Sequence, residues 1–176
     1  MDKSKYLYIV IAIISLVVVL DIGLFYFAFI HKDTVVEKKY ENDNISFTYT
    51  TDYVLKVENN KISLGRDDKS GQIDIVVNEL SNEANNRDES IIIEEAKKDF
   101  EKKNNNYFVG YFGDYKVGKY TVHDYLYSDE SSGKQIDLNY IYKDNKVIVI
   151  SYTNDDKYFD LYEGSVLDII NSLEIL

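Results

Sequence analysis

The distribution of apolar positions divides the chain in two. From Tyr6 to Ile30 (YLYIVIAIISLVVVLDIGLFYFAFI) the only formal charge is Asp21. A helix rises about 1.5 Å per residue, so this run reaches roughly 37 Å, enough to cross a hydrocarbon core of ~30 Å with some tilt. The pattern predicts a transmembrane helix over 6–30, a short tail over 1–5 and a polar linker over 31–43. After about Asp43 the apolar positions alternate with polar ones, or recur every three to four residues, as in a water-soluble domain over 44–176.

Within that domain Ile45, Phe47 and Tyr49 alternate with Ser46, Thr48 and Thr50, predicting a strand. The segments 53–58 and 61–66 flank Asn59-Asn60, a pair that tolerates the positive φ of a two-residue hairpin turn. A turn over 67–71 leads to a longer, central strand over 72–80, with Ile73, Ile75 and Val77 on one face. Ser81 to Asp88 reads as a polar loop. Ile92, Ala96 and Phe100, with Ile93 alongside, mark a helix over 90–104, its glutamates early and its lysines late, as the helix dipole favours. Four strands follow, over 107–112, 119–128, 134–143 and 146–153, the last two joined by Asp144-Asn145. Ile136, Leu138, Tyr140 and Tyr142 share one face against Gln135, Asp137 and Asn139, which predicts a sheet with one buried and one wetter side. A closing helix over 156–173 carries Phe159, Tyr162, Val166, Ile169, Ile170 and Leu173 as its apolar stripe, interrupted by Gly164, which implies a kink or a close packing contact. The expected class is α+β: an antiparallel sheet domain with two packed helices behind a single N-terminal membrane helix.

Charge fixes the expected orientation. Lys3 and Lys5 precede the apolar run, and basic residues prefer the cytoplasmic side, so the domain is expected outside the cytoplasm. The run exceeds the usual apolar stretch of a cleavable signal peptide and no A-x-A-like site follows, so it reads as an uncleaved signal anchor. Asp21 lies in its outer half; it either contacts a partner helix or reaches toward water. Two of the 20 basic and two of the 31 acidic residues precede residue 31, so the remainder carries the whole net charge of −11. Such a surface repels nucleic acid and anionic lipid. The absence of cysteine removes disulfides, thiol catalysis and cysteine-based metal sites. The absence of proline, the excess of lysine over arginine, and the abundant Ile, Asn and Tyr match an AT-rich bacterial genome.

Three segments carry a family resemblance: ISFTYTTDYVLKV, VGKYTVHDYLY, and VIVISYTNDDKYFDLYEGSVLDIINSLEI with its late Ser172. Together with the element order over 44–176 they resemble the PsbP/DcrB-like family (the Mog-type fold): an opening hairpin, a Gly turn into a central strand, and a last strand with a closing helix. Thr50 or Thr51 stands where that family has Pro, and Tyr53 where it has Trp. The resemblance implies a small non-catalytic domain attached to a membrane complex.

Candidate chemistry is sparse. The histidines are His31, beside the membrane run, and His123, in a strand with Tyr125 and Tyr127 on its face. Asp124 points to the opposite face, so these neighbours cannot form a dyad. No nucleophile-elbow, zinc-protease, P-loop or dinucleotide-binding pattern is present. The acidic pairs Asp67-Asp68, Asp129-Glu130 and Asp155-Asp156 fall in expected turns or caps, and none matches a calcium loop. No catalytic, cofactor-binding or metal-binding residue is therefore named, and no cofactor is expected. The expected role is a non-catalytic accessory or binding module of a bacterial envelope assembly, with the membrane and a membrane or envelope protein as partners. The alternative is a domain that binds a sugar, peptide or divalent cation. An enzyme would have to rely on carboxylates, and two convergent buried ones would favour it.

Overall fold

The computed structural model describes residues 36–66, 71–81 and 87–176. The predicted tail, membrane helix and first linker residues, with most of the 67–71 turn and the 81–88 loop, lie outside the described residues. Among the described residues no helix is long and apolar enough to cross a membrane. The folded unit begins at Glu37.

Two antiparallel sheets organise it. Strands β1 (Glu37–Glu41), β2 (Ile45–Thr50) and β10 (Glu174–Ile175) form a small sheet in the order β1-β2-β10. Strands β3 (Val54–Glu58), β4 (Lys61–Gly65), β5 (Gln72–Glu79), β6 (Phe108–Val117), β7 (Tyr120–Asp129), β8 (Lys134–Lys143) and β9 (Lys146–Asp155) form a seven-stranded sheet in the order β3-β4-β5-β9-β8-β7-β6. Helix α1 (Glu89–Lys103) connects β5 to β6. The closing segment is two helices, α2 (Asp156–Tyr162) and α3 (Gly164–Ser172). The large sheet is covered on both faces. On one, Ile73, Ile75, Ile148 and Ile150 meet Phe47 of β2 and Phe159, Val166 and Ile170 of α2 and α3. On the other, Leu138, Tyr140 and Tyr127 meet Ile92 and Ile93 of α1.

The expected α+β class, the antiparallel sheet and the packed helices are all present. Both hairpin pairs turn with positive φ, at Asn59 and at Asp144 and Asn145. Several features differ, beginning with the separate small sheet and its short last strand β10 where a single sheet was expected. Glu37–Glu41, inside the segment expected as linker, is β1; its sequence EKKYE has no apolar alternation because only Tyr40 turns inward, its ring 5.2 Å from that of Phe47. The strand expected to end at 112 runs through Gly113 to Val117, paired with β7 throughout. The closing helix is broken between Tyr162 and Gly164, and a Cβ at Gly164 would meet nothing within 4 Å, so the break is not a packing requirement. Finally, the side of β8 expected to be wet is buried: Asp137 is 6% exposed and Asn139 1%. The alternation along β8 holds, but α2 and the small sheet cover the polar face as α1 covers the apolar one.

Candidate functional site

Polar residues placed on that covered face gather into a network. Asn139 sits opposite Asp124 across the β7–β8 ladder, and Tyr115 of β6 lies on the same side. The Tyr115 hydroxyl donates to Asn139 Oδ1 at 2.7 Å, and Asn139 Nδ2 donates to Asp137 Oδ2 at 2.7 Å. Asp124 lies diagonally across the β7–β8 ladder from Asp137, on the same face, and its Oδ1 is buried with no donor. Burial, and then the neighbouring Asp124 carboxyl, push Asp137 up to about 8. Burial likewise raises the Tyr115 phenol and, with Asp160 and Asp124 nearby, the Glu163 carboxyl at the elbow between α2 and α3. Two carboxylates thus converge on the face covered by the closing helices, the arrangement that an enzyme relying on carboxylates would need. Among the described residues no group of three or more histidine or acidic side chains is placed to hold a metal ion.

His123 occupies the opposite face, toward α1. Its Nδ1 lies 2.8 Å from Asp114 Oδ1 of β6 and its Nε2 lies 3.1 Å from Glu89 Oε1 of α1. Asp124 takes no part, as strand geometry requires. The partner Asp114 is hidden from sequence reasoning because it follows Gly113, where the predicted strand stops. His123 therefore ties three elements together at the start of α1. Asp129 also serves the fold, since its carboxylate accepts from the hydroxyls and amides of Ser131 and Ser132 and from Asn106 Nδ2. Those hydroxyl donors, first of all, hold it well below the usual carboxylate range. Ser172 accepts from the Thr48 amide at 3.0 Å and donates to the Ile169 carbonyl, which fastens α3 to β2.

Two surfaces are left open on the fold. The outer edge of β6 is the end of the large sheet, and Phe108 (68% exposed), Tyr111 (57%) and Phe112 (70%) stand in water along it. A β-bulge between Val109 and Tyr111 shifts the register, so Tyr111 shares a side with Phe108 while Phe112 emerges on the other, stacked 6.4 Å from Tyr125. Free edges with large apolar side chains are places where another chain adds. Beside α1 runs a groove of about 550 Å³, floored by Val76, Val147, Val149 and Tyr140 and rimmed by Arg87, Asp99 and Lys103. Ile92, Ala96 and Phe100 of α1 form its wall.

No family model matches the chain, and no curated protein matches it. The structural comparison does find neighbours. The solution structure of the cyanobacterial PsbP (CyanoP) from Synechocystis sp. PCC 6803 superposes with a TM-score of 0.61 at 7% identity, over 83% of this chain and 96% of that one. The fold is PsbP-like. The crystal structure of LpqN of Mycobacterium tuberculosis, described as involved in cell envelope biogenesis, aligns over 84% of this chain and 94% of that one, with a TM-score of 0.53 at 12% identity. A protein from Bacteroides thetaiotaomicron gives 0.52 at 14% identity, over 75% of this chain and 45% of its own length. At such identities the PsbP-like likeness is one of fold, as expected from the three segments around β2, β7 and the closing helices.

Proposed function

We propose that this chain is a non-catalytic accessory module of a bacterial envelope assembly, a PsbP/DcrB-like domain held outside the cytoplasm by a signal anchor over 6–30, and that it docks an envelope protein along β6. The observation that carries this reading is the aromatic edge: three large rings exposed by more than half on one strand. A monomer gains nothing from that exposure, whereas a docked strand or apolar surface would bury the rings and satisfy the outer backbone groups of β6. The neighbours support it in kind, since LpqN is described as involved in cell envelope biogenesis. The net charge of −11 makes nucleic acid a poor partner.

The test is purification of the full-length chain in mild detergent, in parallel with the double variant Phe108→Ser/Phe112→Ser. A membrane or envelope protein should accompany the first and be lost from the second, while both melt at the same temperature. Recovery of the same neighbour with both forms would rule out β6 as the docking edge. The groove beside α1 favours a second reading, a small amphipathic ligand on an apolar floor with a charged rim. That reading expects a Val149→Trp variant to report binding through its fluorescence.

A further inference from the structure

Asp137 is buried between the large sheet and the closing helices, and no ion pair among the described residues reaches it, Asp124 or Glu163. One Asp137 oxygen is satisfied by Asn139 Nδ2. Asp124 presents a buried oxygen that has no donor. Its diagonal neighbour on the same face of the ladder is the Asp137 carboxyl, which becomes a donor once it carries a proton. Two ionised carboxylates side by side, one of them buried, would repel, and a buried oxygen without a partner costs free energy that a proton between them removes.

We propose that Asp137 keeps a proton and turns it toward the unpartnered Asp124 oxygen, and that this proton is a latch: while present it keeps the elbow between α2 and α3 seated over β7 and β8, and its loss loosens the closing helices. The groups that face the pair make the sense of the switch plain. Tyr115 from β6 is neutral and hydrogen-bonded to Asn139. Tyr152 from β9 stands opposite Asp137 in the ladder, with its hydroxyl donating to the Phe159 carbonyl. Glu163 at the elbow is acidic, with Asp160 of α2 beside it. Losing the proton therefore adds negative charge to a place already facing carboxylates. Asp137 is raised above its unfolded value of about 3.9 to about 8. The latch is thus fully closed below the lower value, weakens as pH rises between the two, and is spent above the higher one.

The experiment is hydrogen exchange of the α2 and α3 amides in the full-length chain from pH 5 to pH 9, corrected for intrinsic rates. Their opening equilibrium should rise by up to about tenfold per pH unit below pH 8 and level off above it, since one proton is linked to opening. Asp137→Asn mimics the protonated shape and should flatten the profile, whereas Asp124→Asn leaves the burial of Asp137 and should move the levelling point to lower pH. Glu163→Gln should move the levelling point slightly to lower pH and leave the slope unchanged. A flat profile in the unmodified chain, or an unchanged profile in both asparagine variants, would overturn the latch. So would suppression of the slope by millimolar calcium in the unmodified chain, which would assign the two carboxylates to a cation.

Discussion

Ile170 and Asp168 are two residues apart on α3 and face opposite worlds. Ile170 is fully buried between the sheets, whereas Asp168 is exposed at the rim of a small groove between α3 and β2. Removing a buried isoleucine down to alanine leaves a cavity the surroundings only partly refill, at about 2–5 kcal/mol. That is a large share of the ~5–15 kcal/mol that holds a domain together. Ile170→Ala should therefore lower the urea midpoint clearly, and Asp168→Ala should hardly move it. Equal shifts would mean that α3 does not pack against the sheets through its apolar stripe. Asp129 shows the converse, a polar residue buried because hydroxyls, amides and Asn106 surround it. Its depressed carboxyl adds stability that is present above about pH 4 and lost as pH falls further, opposite in sense to Asp137.

Among the elements, the closing pair is the least regular. Helix α2 ends at Tyr162 and α3 begins at Gly164, with no side-chain cap at Glu163. Gly164 has no positive φ and nothing within 4 Å of a would-be Cβ, so neither strain nor crowding requires glycine there. Alanine at that position costs less backbone entropy on folding. Gly164→Ala should therefore stabilise the protein by about 0.4–1 kcal/mol, read as a higher melting temperature. A drop in melting temperature would show that the break itself is needed. Helix α1 differs in kind. It is short of apolar surface, with only Ile92 and Ile93 fully buried, and it is tied down by polar links such as Glu89 to His123 and Tyr127 to Glu101.

For the whole molecule the decisive fact is that the large sheet is covered twice, by α1 on one face and by the small sheet with α2 and α3 on the other. Strand β1 belongs to this assembly despite its polar sequence, because its backbone pairs with β2 from Glu37 to Glu41. A fragment starting at Val36 should thus be soluble and unfold cooperatively, and one starting at Asn44 should melt lower. Shortening to Asn44 removes β1, opens one edge of β2 and uncovers Phe47 where Tyr40 packed. Identical melts for the two fragments would show that β1 contributes nothing.

Local chemistry decided much of this before any folding was considered. The period of Ile73, Ile75 and Val77, the hairpin asparagines and the stripe from Phe159 to Leu173 are written in neighbouring residues. So are the apolar run over 6–30 and the acidic charge. Tertiary structure decided the rest, because it depends on what lies across a sheet or above it. Whether Asp137 and Asn139 meet water or α2, whether His123 finds Asp114, and whether Glu37–Glu41 pairs with β2 are settled by partners distant in the chain. The same holds for the aromatic edge. Phe108, Tyr111 and Phe112 look like core residues in the sequence, and only the strand order, which leaves β6 last, puts them in water.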